Sequence, residues 1–268
     1  MSTLGSRYLR FAALGDSTTF GIGDPVPGGW RGWSRLLAQS LASSYDLSYC
    51  NVAVSGATAA TVLSDQLADA LAHRPDIATL MVGVNDVLRS GWDPARVRAD
   101  LMSCAEALTG QGTLLLTARF HDHGGVWRLP EWLRLRLRRR LCELNAVWDE
   151  VHATYGGLRV DLGAQPEVWD RRFWSVDRIH PSELGHRYLA RLFAAELRRA
   201  GLDFEPPSAG CEGGIPPSWW RDVTWIVAEG APWVGRRARD FGPWAVRLAL
   251  REVRPAGEPA PEAVALPR

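Results

Sequence analysis

The sequence predicts an α/β domain built on a five-stranded parallel sheet with helices on both faces. Two observations carry this. Short apolar runs alternate with longer stretches of helical periodicity over roughly the first 200 residues, the pattern that strand–helix–strand units produce. The chain, at 268 residues with 46% hydrophobic and 23% charged side chains, is long enough to bury one substantial core without disulfides or structural metal. Right-handed crossovers would then bring every loop that follows a strand to one edge of the sheet, where ligands of such sheets bind. A candidate site residue should therefore follow a strand.

The expected strands are Leu9–Leu14, Leu47–Val54, Ile77–Val82, Thr113–Thr117 and Leu158–Asp161. The expected helices are Trp30–Ser44, Thr58–Ala72, Pro94–Leu108, Pro130–Tyr155 and Ser182–Ala200. In the fourth helix, Leu133, Leu137, Leu141, Leu144 and Trp148 recur at helical spacing and form one apolar stripe. Its many arginines then fill a solvated face beside Glu131, Glu143, Asp149 and Glu150. With a formal net charge of +1, a phosphate track is disfavoured and no nucleic-acid partner is expected. After Gly201 the texture changes to Pro, Gly and Trp. Residues 1–200 are read as the functional domain. Residues 201–268 are read as an irregular extension that packs on it and ends in disorder, with one short helix at Trp244–Val253. Trp219, Trp220, Trp225, Trp233 and Trp244 would anchor that cap.

Cys50, Cys104, Cys142 and Cys211 show no paired spacing and suit free thiols. No apolar run reaches the roughly 18 residues that span a bilayer, and the N-terminus leads straight into the first strand without a leader pattern. A cytoplasmic location is the simplest expectation. The sequence assigns no oligomeric state.

Four strand ends or helix starts carry chemistry. The first strand ends in Gly15-Asp16-Ser17, the second in Ser55-Gly56, and the third in Gly83-Val84-Asn85-Asp86. "DRIHP" places Asp177 and His180 before the last helix, with Pro181 suited to its first turn. Ser17 is the candidate nucleophile, its own N–H a first oxyanion donor. Gly56 supplies a backbone N–H with no Cβ in the way, and Asn85 a side-chain donor. His180 would take the serine proton and return it to the leaving group. Asp177, three residues earlier and on the same side of one helical turn, would hold His180 Nδ1–H. Each motif alone is weak. Their joint order on one sheet edge favours a catalytic site.

These blocks, "GDSTTFG", "NVAVSG", "GVND" and "DRIHP", resemble the SGNH hydrolase superfamily of GDSL-type esterases and lipases over roughly residues 8 to 200. Thr18 stands where the family name has leucine. The resemblance implies a flavodoxin-like three-layer α/β/α sandwich and a Ser-His-Asp site with Ser17, Gly56 and Asn85 as the oxyanion hole.

The expected activity is hydrolysis of a small carboxylic ester, acetyl or short acyl, through an acyl-enzyme at Ser17. It needs no metal or organic cofactor. An acyltransferase would use the same residues, and a third reading is a non-catalytic protein binding a glycan, lipid or partner through its tryptophan-bearing tail. Asp16, beside the nucleophile, is given a structural hydrogen-bonding role, since neighbouring side chains on an extended segment point apart. Asp86 is likewise treated as mainly structural. His121 and His123 in "FHDHGG" follow the fourth strand. They are candidates for substrate contact, with a plain surface loop as the default. Two histidines without a third ligand make a poor metal site.

Overall fold

The computed structural model describes residues 8–215. The helix expected at Trp244–Val253 and the five tryptophans of the tail lie outside the described residues.

Five strands form one all-parallel sheet: β1 (Tyr8–Gly15), β2 (Asp46–Asn51), β3 (Ile77–Met81), β4 (Leu114–Arg119) and β5 (Leu158–Asp161), in spatial order β2-β1-β3-β4-β5. The order reverses between β1 and β3, which opens a crevice at their carboxyl ends. Helices α1 (Gly32–Leu41) and α5 (Glu183–Arg199) pack together on one face. The interrupted helix α2 (59–72), α3 (Pro94–Thr109) and α4 (Glu131–Tyr155) cover the other. This is the expected three-layer α/β/α sandwich. Its core holds Phe11, Leu14, Trp33, Leu80, Trp148 and Phe193, all fully buried, with Trp33 stacked on Phe193 at 4.6 Å between ring centres.

Boundaries differ where local pattern meets tertiary contacts. The second strand stops at Asn51. Val52 and Val54 still donate to Ala13 and Gly15 of β1, but the chain there is already bending away. Trp30 belongs to a small hairpin (Pro25–Val26 with Gly29–Trp30) rather than to α1. Helix α2 is not uniform, since Val62–Gln66 is π-helical between α-helical Ala59–Thr61 and Leu67–Ala72. In α4, Leu137, Leu141, Leu144 and Trp148 are buried as the stripe requires, and Leu133 is half-buried. Several arginines near this face meet acids: Arg98 pairs with Glu150, Arg139 with Glu143, and Arg119 and Arg159 with Asp149.

The two ends of the domain are locked together. Arg31 forks onto Asp24 through two 2.9 Å bonds and reaches Glu183 of α5 at 2.8 Å. His186 accepts from Trp33 N–H through Nδ1 and donates through Nε2 to Ile22 O. Burial lowers its pKa to about 4, so the ring is neutral and its tautomer is fixed by these two bonds. Removing one partner from the buried Arg31–Asp24 ion pair costs about 3–5 kcal/mol. Residues 201–215 continue the contact: Phe204 is buried, Arg31 donates to Glu212 O, and Ile215 N donates to Pro25 O.

Candidate active site

Strand β1 delivers Ser17 to the crevice through a backbone that tolerates no side chain at Gly15. There φ is +153°, and a Cβ would sit 2.5 Å from Met81 O and 2.7 Å from Thr19 Oγ1. Gln66, in the π-helical turn, clasps this residue from both sides. Its Oε1 accepts from Gly15 N and its Nε2 donates to Gly15 O, each at 2.9 Å. Asp16 is buried and caps the one-turn helix Ser17–Phe20 by accepting from Thr18 N at 3.0 Å, in agreement with a structural role. Thr18 thus enters that cap through its backbone.

His180 Nε2 lies 2.9 Å from Ser17 Oγ, and His180 Nδ1 lies 2.8 Å from Asp177 Oδ2. The three side chains form one hydrogen-bonded chain. The expected helical turn between Asp177 and His180 is absent, however. Helix α5 begins at Glu183 with Ser182 as its cap, and Pro181 precedes it, bridged to Trp174. The acid and base instead occupy a tight turn in which Arg178 adopts a left-handed φ of 57°. Asp177 Oδ1 closes that turn, accepting from Ser175 Oγ (2.6 Å), Ile179 N (2.8 Å) and His180 N (3.0 Å). Burial alone would raise the pKa of Asp177. The bonds from His180, Ser175 and the turn amide override it and hold the carboxyl well below the usual range. Asp177 is therefore an anion throughout the neutral range.

Asn85 is buried on the short helix Val84–Val87 and lines the same cavity as Ser17 and His180. Its Nδ2 donates to Ala57 O at 3.0 Å, which ties it to the turn carrying Gly56. Gly56 has a left-handed φ of +80°, and a Cβ there would meet open space. Conformation, rather than crowding, favours glycine in this structure. Gly56 is not among the residues lining the cavity. Asp86 is not among the residues lining that cavity and accepts from Ala59 N at the start of α2 at 3.1 Å. Burial raises its pKa to about 6.

His121 and His123 overturn the surface-loop default. Both are buried and line the cavity, their rings stacked at 3.9 Å and 19°. His123 Nδ1–H donates to His121 O at 3.0 Å. Asp122, between them, accepts from Gly125 N and pairs with Arg134. Asn145 of α4 braces the same loop, accepting from Phe120 N and donating to Phe120 O. Among the described residues there is no cluster of three or more His, Cys, Asp or Glu able to hold a metal, and no helix long and apolar enough to cross a membrane.

The clasps of Gln66 and Asn145 have no signal in the sequence. An amide on a helix looks like any exposed polar residue, and only its position opposite a strand end reveals the pairing.

The profile of the GDSL-like lipase/acylhydrolase family matches residues 13–213. An acetylxylan esterase from Geobacillus stearothermophilus is 25% identical over 169 residues, covering 60% of this chain and 77% of that protein. Among solved structures, TesA superposes with a TM-score of 0.56 at 23% identity over 71% of this chain and 98% of its own. An acetyl xylan esterase from Geobacillus stearothermophilus gives 0.57 at 22% identity over 70% and 94%. The chain belongs to the GDSL-like lipase/acylhydrolase family and is an ester-hydrolysing enzyme of the SGNH/GDSL superfamily.

Proposed function

We propose that the protein hydrolyses short-chain carboxylic esters, acetyl esters foremost, through an acyl-enzyme at Ser17. The observation that carries this reading is the continuous chain Ser17 Oγ–His180–Asp177, with links of 2.9 and 2.8 Å. Ser17 Oγ attacks the ester carbonyl carbon while its proton passes to His180 Nε2. The tetrahedral oxyanion is held by the Ser17 N–H and an Asn85 amide hydrogen, from residues that line the cavity, with the Gly56 N–H, on the turn that Asn85 grips through Ala57 O, as the expected third donor. As the C–O bond to the alcohol breaks, His180 returns the proton to the leaving oxygen. Water then attacks the acyl-serine by the reverse sequence, giving the free acid. Asp177 keeps the proton on Nδ1, so that Nε2 can accept, and stabilises the imidazolium.

Cavity size supports a short acyl group. Beside Ser17 the cavity is small, with about 50 Å³ open to the centres of water-sized molecules. Met81, Leu162, Val168 and Leu189 give it an apolar stretch of wall.

A p-nitrophenyl ester series tests the proposal alongside a fluorophosphonate probe and a Ser17→Ala control. Acetate and propionate should exceed octanoate by at least about tenfold in kcat/KM. The probe should label the native protein alone, and Ser17→Ala should lose at least about 10⁴-fold in rate. Equal turnover by the control would place the activity elsewhere. A preference for octanoate would refute the short-chain assignment.

A further inference from the structure

We infer that His121 is a substrate-binding residue that hydrogen-bonds an uncharged hydroxyl group of the ester. The inference rests on the esterase reading of Ser17 and concerns what that site selects. His121 is 4% exposed, yet neither ring nitrogen has a hydrogen-bond partner among the described residues. Buried polar atoms are ordinarily paired, and an imidazole with both nitrogens unmatched in a packed wall is disfavoured unless a ligand pairs with it. The ring lines the cavity that holds Ser17 and His180, so what enters that cavity is what meets it.

The surroundings fix both the pose and the charge of the ring. His123 stacks on one face, Trp174 lies 5.1 Å away at 48°, and Trp169 approaches edge-on. The loop is pinned by the Asp122–Arg134 pair and by the Asn145 clasp on Phe120. Burial, reinforced by His123, pushes the His121 pKa well below its ordinary value, and burial takes His123 down to about 4. Two neutral imidazoles thus face the cavity. A neutral imidazole offers one N–H and one lone pair, and it supplies no positive charge to offset a buried carboxylate or phosphate. The matching group is one that both accepts and donates without charge, and in an ester of a hydroxy acid or a polyol that group is a hydroxyl.

That hydroxyl has two sources, the acyl chain or the alcohol. They are separated by two ester pairs: p-nitrophenyl 3-hydroxybutyrate against p-nitrophenyl butyrate, and glycerol monoacetate against propyl acetate. Each kcat/KM is divided by the ester's own alkaline hydrolysis rate, and the hydroxyl-to-deoxy ratio is read within each enzyme. The native protein should prefer the hydroxylated member of one pair by about tenfold or more, as expected for a neutral hydrogen bond made in a dry site. In His121→Phe the ratio should collapse toward one, while His121→Gln, which retains a donor and an acceptor, should keep part of it. Ratios near one in both pairs for the native protein would overturn the inference whether or not a variant folds, and would leave a bound water as the partner of the ring. A preference that persists unchanged in a folded His121→Phe would also overturn it. Failure of the esterase reading itself would appear separately, as unchanged turnover by Ser17→Ala.

Discussion

Asp177→Asn is the substitution whose outcome the structure specifies most closely. The variant side chain has the same shape but must choose which end carries its NH₂. Oδ1 accepts from Ser175 Oγ, Ile179 N and His180 N. An NH₂ in that position would face two backbone donors that cannot turn away, so the amide oxygen stays there. The NH₂ is then forced onto the position of Oδ2, 2.8 Å from His180 Nδ1. Nδ1 must become the acceptor, the ring proton moves to Nε2, and Nε2 then donates to Ser17 Oγ when it should accept. The base is disabled with almost no change in packing. A fixed wrong tautomer together with the lost carboxylate costs about 10⁴-fold in kcat, or about 5.5 kcal/mol of barrier. Asp177→Ala loses the charge but leaves the tautomer unforced, so the isosteric variant should be no faster than the truncated one. Steady-state turnover of p-nitrophenyl acetate measures this, with circular dichroism reporting the fold. An Asp177→Asn protein that keeps more than about one hundredth of the native kcat would refute the tautomer argument.

Two further outcomes follow from neighbouring residues. Asn85→Ala removes a proposed oxyanion donor and the bond to Ala57 O that steadies the Gly56 turn. kcat should fall by about 10²–10³-fold with a much smaller change in KM, and a loss confined to KM would contradict the role. Asp86 concerns stability, because its pKa rises from 3.8 to about 6 on folding. The native state retains a proton that the unfolded chain releases. The resulting stabilisation is complete below about pH 4 and disappears as pH climbs to about 6, a change of about 3 kcal/mol. Asp86→Asn has no such loss, so urea unfolding should show its stability relative to the native protein improving by about 3 kcal/mol between about pH 4 and pH 7. A constant difference across that range would refute the assignment.

Much of this architecture is legible in the sequence because it is written in local patterns. The short apolar runs at Leu9–Leu14 and Ile77–Val82 fit buried strands in the alternating pattern, and Ser17 and Asn85 follow them closely. The Leu137–Leu141–Leu144 stripe announces which face of α4 is inward. Contacts between distant polar groups have no such local signature. Gln66 looks like any residue of a helix surface until a π-helical turn aims it at Gly15. His121 sits in a short polar stretch that reads as a loop, and its burial comes from Trp174 and Trp169, about fifty residues later. The turn holding Asp177 and His180 cannot be told from a helical turn in the sequence, because three-residue spacing fits both. The left-handed Arg178 that distinguishes them has no sequence hallmark.

The lock formed by Asp24, Arg31, Glu183 and His186 has a consequence for how activity responds to damage. Nucleophile and base stand 163 positions apart in the chain, and this lock ties together the segments that follow them. Neither half of the polypeptide carries a usable fraction of the chemistry, so turnover reports on closure of the entire architecture. Loosening at the seam between the first and last helices will silence the enzyme while most of its secondary structure is still intact.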